Sequence, residues 1–180
     1  MSQRHIDIAE RVVNLCEGKN TTMVIDCGCG KANTVKLLFN HGFCNVIGYD
    51  IDPSRGQHFV GSMDIVKFGD ILNLPVLDEV ADIVICSEVL EHLNSKDCFR
   101  ALEELYRITQ PKGYIIITTP KDERCVTKNP DHVRLVSFEE LKNFFRNCEL
   151  IENSVNYKNE KCRKRDWGSL FVIFRKFEGN

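Results

Sequence analysis

The chain contains 180 residues, of which 43% are hydrophobic and 28% charged, and its formal net charge at pH 7 is −2. This composition is typical of a globular domain and excludes collagen-like, coiled-coil and disordered chains. The sequence contains neither a signal-peptide-like start nor an apolar run of membrane-spanning length, so we predict a single cytoplasmic domain over residues 1–180 with no membrane contact. The nine cysteines include no CxxC pair and are expected to be free thiols.

Helix-like and strand-like segments alternate along the chain. An opening helix within residues 1–20 is predicted to bury a face that carries Ile6, Ala9, Val13 and Cys16. Short apolar runs predict strands at 23–25, 46–49, 65–68, 82–86, 114–118, 150–155 and 170–174. Helices are predicted around 35–39 and 99–108 and after a capping box at 137–140. Apolar strands separated by helices favour a mostly parallel sheet covered on both faces.

The first predicted strand ends in Asp26 and a turn with Gly28 and Gly30. Such glycines allow a tight turn and a close approach of a ligand to the backbone. Asp50 ends the second strand, where the ribose-binding acid of a dinucleotide site is expected. However, Asn33 replaces the third glycine of the dinucleotide fingerprint, and the Asp26 carboxylate would repel a pyrophosphate. The pattern therefore favours a ligand with positive charge and no phosphate, and a nicotinamide oxidoreductase is the weaker alternative.

Several motifs taken together resemble the class I S-adenosylmethionine-dependent methyltransferases. They are D-x-G-x-G at 26–30, G-Y-D at 48–50, G-D-I at 69–71 and A-D-I-V at 81–84. The segments E-V-L-E-H-L at 88–93 and R-I-T-Q-P-K-G at 107–113 resemble the type 11 branch of that superfamily. The resemblance covers residues 24–145 and depends on the order and spacing of the motifs. It implies a Rossmann-like α/β fold with a seven-stranded, mostly parallel sheet, helices on both faces and an antiparallel last strand.

The resemblance also implies a binding site for the cofactor, S-adenosyl-L-methionine. Its predicted members are Asp26, Gly28, Cys29, Gly30, Asp50, Ile51, Asp70, Ile71 and Cys86. The glycine turn would run its backbone along the cofactor, and Asp26 would help to hold the methionine end. Asp50 would accept hydrogen bonds from the ribose hydroxyls and Asp70 from the adenine amino group. The backbone carbonyl of Cys86 would accept one from the ammonium.

Two departures from the family pattern lie near this site. Only twelve residues separate Asp52 from Ile65, where the family usually has a longer helix. We therefore predict a short turn or helical stub there and a more open adenine pocket. Ala32 replaces the third family glycine, and Asp52 is expected to form a turn before Pro53 rather than contact the ligand.

Four polar residues after the fourth and fifth predicted strands are candidates for the acceptor side. Glu88, Glu91 and His92 have i, i+3, i+4 spacing, which predicts one face of a helical turn. His132 lies in the loop after the fifth strand. We favour Glu88, His92 and His132 as catalytic residues of a metal-free pocket, with either histidine as base. The alternatives are structural caps, or a four-residue site for Mn, Co or Mg similar to that of small-RNA terminal 2′-O-methyltransferases.

One basic cluster lies between the last two predicted strands. Its members are Lys158, Lys161, Arg163, Lys164 and Arg165, flanked by Tyr157 and Trp167. We interpret it as a solvated hairpin tip, with binding of phosphate, a carboxylate or a nucleobase as the alternative. A small-molecule acceptor is therefore favoured, nucleic acid remains possible, and the chain is expected to be a monomer or homodimer. Loop 121–136 is predicted to close over the acceptor, and a non-catalytic cofactor-binding module is the remaining alternative to an enzyme.

Overall fold

A computed structural model describes residues 2–17, 19–56, 65–127, 129–157 and 168–178. Its helices are α1 (Gln3–Leu15), α2 (Asn33–Asn40), α3 (Ser95–Ile108), α4 (Glu123–Val126) and α5 (Phe138–Phe144). Its strands are β1 (Val24–Cys27), β2 (Val46–Asp50), β3 (Val66–Phe68), β4 (Ala81–Ser87), β5 (Thr109–Pro120), β6 (Cys148–Tyr157) and β7 (Gly168–Lys176). Two short 3-10 turns cover Pro53–Gly56 and Leu90–His92.

The strands form one seven-stranded sheet in the order β3-β2-β1-β4-β5-β7-β6. Strands β1 to β5 pair in parallel, whereas β7 pairs antiparallel with both β5 and β6. The predicted fold class is confirmed, including the antiparallel last strand. Because β1 to β4 run in the same direction, their carboxyl ends meet at one edge of the sheet.

Alternating side chains of the strands build a hydrophobic core on each face of the sheet. On one face, Val24, Ile83 and Ile116 pack with residues of α1 and α2 such as Ile8 and Leu38. The opposite face packs against α3 and α5, and its cluster includes Val84, Ile115, Ile117, Leu102 and Leu141. This two-sided burial explains why the parallel strands are apolar without alternation.

The buried face of α1 differs from the one predicted. Ile8, Ala9 and Val12 are buried, together with Cys16 just after the helix, whereas Ile6 and Val13 are only half-buried. Ala9 and Cys16 thus confirm the prediction, whereas Ile8 and Val12 take the places of Ile6 and Val13, because half-buried apolar side chains flank the buried stripe. The predicted capping box of α5 is confirmed in part, since the Ser137 hydroxyl accepts a hydrogen bond from the backbone N–H of Glu140 at 3.2 Å.

Several other predictions concern turns and cysteines. The crossover after β2 begins with the 3-10 turn Pro53–Gly56, in agreement with the short stub expected there, and residues 57–64 lie outside the described part. The basic cluster at 158–167 also lies outside it. Seven cysteines of the described segments are free thiols, of which Cys44 is exposed. None of the helices in those segments is long and apolar enough to cross a membrane.

Candidate functional site

A cleft of about 690 Å³ opens at the carboxyl ends of the parallel strands. Of the residues predicted to bind the cofactor, it is lined by Gly28, Cys29, Gly30, Asp50, Ile51, Asp70 and Ile71. The cleft also brings in Glu88 and His92 from the predicted acceptor side. The two predicted groups thus share one cavity, whose volume is in the usual range for a small-molecule site.

The glycine turn after β1 forms one wall of the cleft. Gly28 and Gly30 have left-handed backbone angles, with φ of 75° and 51°. The N–H groups of Gly28 and Cys29 donate to the Tyr49 carbonyl at 2.7 and 3.0 Å, which ties the turn to β2. A side chain at Gly28 would collide with Val89, so glycine is required there both by conformation and by space.

Asp50 connects this turn to the end of β2. Its Oδ2 accepts the N–H of Gly30 at 2.7 Å and its Oδ1 accepts the N–H of Asp52 at 2.9 Å, and the residue is buried. Each oxygen retains a further lone pair for a ligand. Asp52 in turn accepts hydrogen bonds from the Ser54 backbone and hydroxyl, which confirms its predicted turn-forming role. Asp50 therefore holds the turn in place while it faces the cleft.

The remaining predicted cofactor residues occupy two different environments. Asp70 is half-buried and accepts the Leu72 N–H at 2.9 Å, beside the buried Ile71. Ile51 is 68% exposed and offers an apolar wall. By contrast, Cys86 is fully buried in β4, so its predicted contribution would come from the backbone alone.

Asp26 is buried beneath the glycine turn rather than lining the cleft. Burial raises the pKa of its carboxyl group to about 7, and the nearby Asp50 carboxylate adds to the rise. The Arg4 guanidinium acts in the opposite direction on this pKa. Burial removes the water that would stabilise the negative charge of this carboxylate. A cation in the cleft would compensate in part by electrostatic attraction.

The acceptor side departs from the helical face predicted for it. Glu88 precedes the 3-10 turn Leu90–His92 and adopts a left-handed φ of 56°, so it does not share a helix with Glu91 and His92. Its backbone N–H donates to the Thr118 carbonyl at 2.8 Å, which fixes this bend at the end of β4. The Glu88 carboxylate instead turns toward the first turn of α1.

Glu91 is fully buried, and neither of its carboxylate oxygens has a hydrogen-bond partner among the described residues. Its Oε1 lies 3.9 Å from Nε2 of His132. Desolvation raises the pKa of the Glu91 carboxyl to about 8, and the Glu88 carboxylate contributes further. A buried carboxylate without a hydrogen-bond partner destabilises the fold. Glu91 is therefore expected either to hold a proton or to bind a cation.

The two predicted histidines come together beside this carboxyl. The rings of His92 and His132 meet edge to face with centroids 4.8 Å apart, and Nδ1 of His92 lies 2.9 Å from the Asp131 carbonyl. Burial and the neighbouring His92 lower the pKa of His132. One ligand atom from each of Glu91, His92 and His132 falls within a 4.8 Å cluster, which does not include Glu88.

The second half of loop 121–136 holds His132 in place. The backbone N–H groups of Val133 and Arg134 donate to the Glu91 carbonyl at 2.9 and 3.4 Å. Asn129 and Asp131 of the same loop line the cleft. The loop thus contacts the 3-10 turn that contains Glu91 and lines the same cleft as Glu88 and His92.

Several cleft residues were not predicted from the sequence, and two of them belong to helix α1. Arg4 and His5 enter the cleft from the first turn of α1. Arg4 forms an ion pair with Glu88, with Nη1 and Oε2 3.4 Å apart. Burial, with Arg4 nearby, lowers the pKa of His5 to about 4, so His5 is neutral at pH 7. No motif marks these residues, because their position depends on how α1 packs across the sheet.

Comparison with known proteins agrees with this geometry. The family model described as a methyltransferase domain of type 11 matches residues 25–117, just over half of the chain. A solved structure of an S-adenosylmethionine-dependent methyltransferase from Archaeoglobus fulgidus has a TM-score of 0.72 at 19% identity and covers 96% of this chain and 94% of its own. At that identity the likeness concerns the fold.

Three curated relatives differ in what their names say they methylate. A probable S-adenosylmethionine-dependent methyltransferase of Mycolicibacterium smegmatis is 28% identical, over 84% of this chain and 57% of that protein. A malonyl-[acyl-carrier protein] O-methyltransferase of Pectobacterium atrosepticum is 34% identical, over 63% and 44%. A tRNA (carboxymethyluridine(34)-5-O)-methyltransferase of Arabidopsis thaliana is 33% identical, over 54% and 24%. The chain thus spans about half or less of the length of these relatives.

Proposed function

This chain belongs to the type 11 branch of the S-adenosylmethionine-dependent methyltransferases, and we propose that it transfers a methyl group from that cofactor to a small-molecule acceptor. The observation that carries the proposal is the shared cleft. Asp50, the glycine turn and His92 all line it. Cofactor and acceptor would therefore meet inside a single cavity.

The residues of the cleft fit the charge and shape of this cofactor. The buried Asp26 beneath the turn and the carboxylates of Asp50 and Asp70 suit a ligand with a sulfonium, an ammonium and hydroxyl groups. The glycine turn leaves open space around Gly30, where a side chain would meet nothing nearer than Arg55 at 4.0 Å. Ile51 and Ile71 give apolar walls for a flat ring. The predicted cofactor-binding set is retained as the proposal.

When bound, the cofactor supplies a methyl group activated by its sulfonium, and the protein must orient an acceptor and receive its proton. His92 is suited to the second task. If its Nδ1–H donates to the Asp131 carbonyl, Nε2 is left as the basic atom of the neutral ring. His132 packs against His92, and burial and the neighbouring ring lower its pKa, which favours the uncharged form that can orient His92 without repelling it. Glu88 would complete the pocket on the Arg4 side.

The acceptor side favours a small molecule over a polymer. Loop residues Asn129 and Asp131 line the same cleft as Glu88, and the hydrogen bonds of Val133 to Glu91 hold this loop against the 3-10 turn. The space beyond the cofactor is therefore bounded on two sides. The net charge of −2 gives no general attraction to a polyanion.

Binding and turnover test the proposal separately. Calorimetry with S-adenosylhomocysteine is expected to give a saturable isotherm, whereas NAD gives none. His92→Ala should retain that affinity and lose methyl transfer from S-adenosylmethionine to a panel of small hydroxyl, amine and carboxyl compounds. His41→Ala, at the exposed end of α2, serves as the matched control. Cofactor binding without turnover on any acceptor would point instead to a non-catalytic module.

A second candidate function is supported by the buried Glu91. Its unpartnered oxygens, with the His92 and His132 rings, form a donor set that suits Mn or Co. A metal there would favour an acceptor diol, as in methylation of an RNA 3′ end. The test is metal analysis of untagged protein, with labelling of a short RNA in the presence and absence of EDTA. Stoichiometric metal and EDTA-sensitive labelling that Mn or Co restores would replace the metal-free proposal.

A further inference from the structure

Arg4 is the half-buried cation of the cleft, and its hydrogen-bonding capacity is not filled. Its side chain is 28% exposed, and its Nε is buried without a hydrogen-bond partner among the described residues. The ion pair with Glu88 is long at 3.4 Å and involves Nη1. Oε1 of Glu88 is likewise buried without a partner. Each member of the pair thus keeps an unused polar atom inside the protein.

The surroundings of Arg4 identify which end of the cleft it occupies. Its charge lowers the pKa values of Asp26 and Glu91, so it lies where the glycine turn and the acceptor side meet. The other basic residues of the cleft differ from Arg4 in exposure or in charge. Lys31 and Arg55 are exposed, and the low pKa of His5 makes it neutral. Arg4 is therefore the cation placed to meet a ligand anion away from bulk solvent.

We propose that Arg4, from the first turn of α1, binds the carboxylate of the methionine end of the cofactor through its guanidinium. The proposal rests on the function proposed above, because that function assigns the Asp26 end of the cleft to the methionine portion. A guanidinium offers several N–H donors in a fixed planar fork that matches a carboxylate. The contact would satisfy the orphaned Nε and would give α1 a direct role in ligand recognition.

The competing explanation is that Arg4 only neutralises Glu88 and the nearby acids. The two explanations differ in which ligand they affect. A carboxylate contact matters for S-adenosylhomocysteine, which carries the amino-acid portion, but not for 5′-methylthioadenosine, which keeps the adenine, ribose and sulfur and lacks that portion. A purely structural Arg4 would affect both ligands alike, or neither.

The experiment is calorimetry of both ligands with wild type, Arg4→Gln, Arg4→Lys and Lys31→Gln, each verified as folded by thermal unfolding. Arg4→Gln is expected to weaken S-adenosylhomocysteine at least roughly tenfold and to change 5′-methylthioadenosine by less than about twofold. Arg4→Lys should fall between wild type and Arg4→Gln. Lys31→Gln removes the same charge from an exposed position of the cleft and tests the competing assignment, in which Lys31 contacts the carboxylate.

Several outcomes would overturn the inference. Parallel losses for both ligands would assign Arg4 a structural role, and no loss for either would remove it from the site. A selective effect of Lys31→Gln would transfer the carboxylate contact to Lys31. If wild type bound neither ligand, the proposed function itself would fail, whereas normal wild-type binding with an unaffected Arg4→Gln would reject Arg4 alone.

Discussion

Asp50 has two roles, and a single substitution removes both. Its carboxylate accepts the N–H groups of Gly30 and Asp52, and it is proposed to accept the ribose hydroxyls as well. Asp50→Ala removes both charge-assisted contacts to the ligand and the support of the turn. Affinity for S-adenosylhomocysteine should therefore fall by about 2 to 3 kcal/mol, measured by calorimetry on folded protein.

The neighbouring Asp52 provides the control for this prediction. Asp52 is exposed and its carboxylate is used by Ser54, so Asp52→Ala should change the affinity by less than about threefold. An Asp50→Ala protein that is folded and binds within about threefold of wild type would refute the assignment of Asp50.

Asp26 should make the stability of the ligand-free protein depend on pH. Its pKa rises from 3.8 in the unfolded chain to about 7 in the folded one, so the folded state holds the proton more tightly. The contribution of Asp26 to the free energy of unfolding is therefore greatest below pH 3.8 and falls as the pH rises to about 7. Asp26→Asn lacks this loss, and its stability relative to wild type should grow by up to about 4 kcal/mol between about pH 4 and pH 8.

Chemical denaturation of both proteins across that pH range measures the effect. The comparison cancels the titration of groups common to both chains. A constant difference in the free energy of unfolding between the variant and wild type would mean that the pKa of Asp26 is the same in the folded and the unfolded chain. The same variant should bind the cationic cofactor more weakly, because it lacks the negative charge of Asp26. The substitution would then stabilise the fold but impair binding.

The sequence identified the residues of the cleft that follow strands, and it failed for residues placed by long-range packing. Asp50 and Asp70 were found because each ends or follows a parallel strand, and such ends converge. Arg4 reaches the cleft only because α1 packs beside α2, which no local pattern encodes. The buried state of Glu91 was also not predicted, since the spacing placed it only on a helical face shared with Glu88.

Among the secondary-structure elements, the predictions were accurate in the core and weak at the ends. Strand β5 was predicted at 114–118 and extends from Thr109 to Pro120. One of the added residues, Lys112, has a left-handed φ of 66°. The register with β4 also shifts between Ala81 and Ile83. Apolar alternation cannot reveal such an irregular extension, because pairing with β4 and β7 rather than composition keeps it extended.

Loop 121–136 should differ in mobility between its two halves. Arg124, in α4, has a side chain 59% exposed, whereas Arg134 is 19% exposed and pairs with Glu140 at 2.6 Å. Trypsin should therefore cleave after Arg124 at least roughly tenfold faster than after Arg134, as followed by mass spectrometry. Because Asn129 lines the cleft, S-adenosylhomocysteine with an accepted substrate should slow the first cleavage.

The control for this prediction is cleavage at Arg146, which follows α5 and does not line the cleft. Ligands should leave its rate unchanged. If cleavage after Arg124 proceeds equally fast with and without ligand, the loop does not close over the acceptor.

Across the whole molecule, the sheet order explains why one cleft can influence global stability. The strands that line the cleft, β1 to β4, are the central and edge strands of a sheet whose two faces carry separate cores. The sequence pattern predicted parallel strands, and the family resemblance implied an antiparallel last strand. The sequence did not predict that β7 inserts between β5 and β6, because an apolar run does not show which strands lie beside it in the sheet.

Ligand binding at this edge should therefore stabilise the folded chain as a whole. S-adenosylhomocysteine at one hundred times its Kd is expected to add about 2.7 kcal/mol to the free energy of unfolding. For a domain of this size, that corresponds to a rise in Tm of roughly 5 to 10 °C. Thermal unfolding monitored by circular dichroism measures it, with NAD at the same concentration as the negative control. A rise with NAD and none with S-adenosylhomocysteine would contradict the proposed cofactor site and would restore the nicotinamide interpretation of the glycine turn.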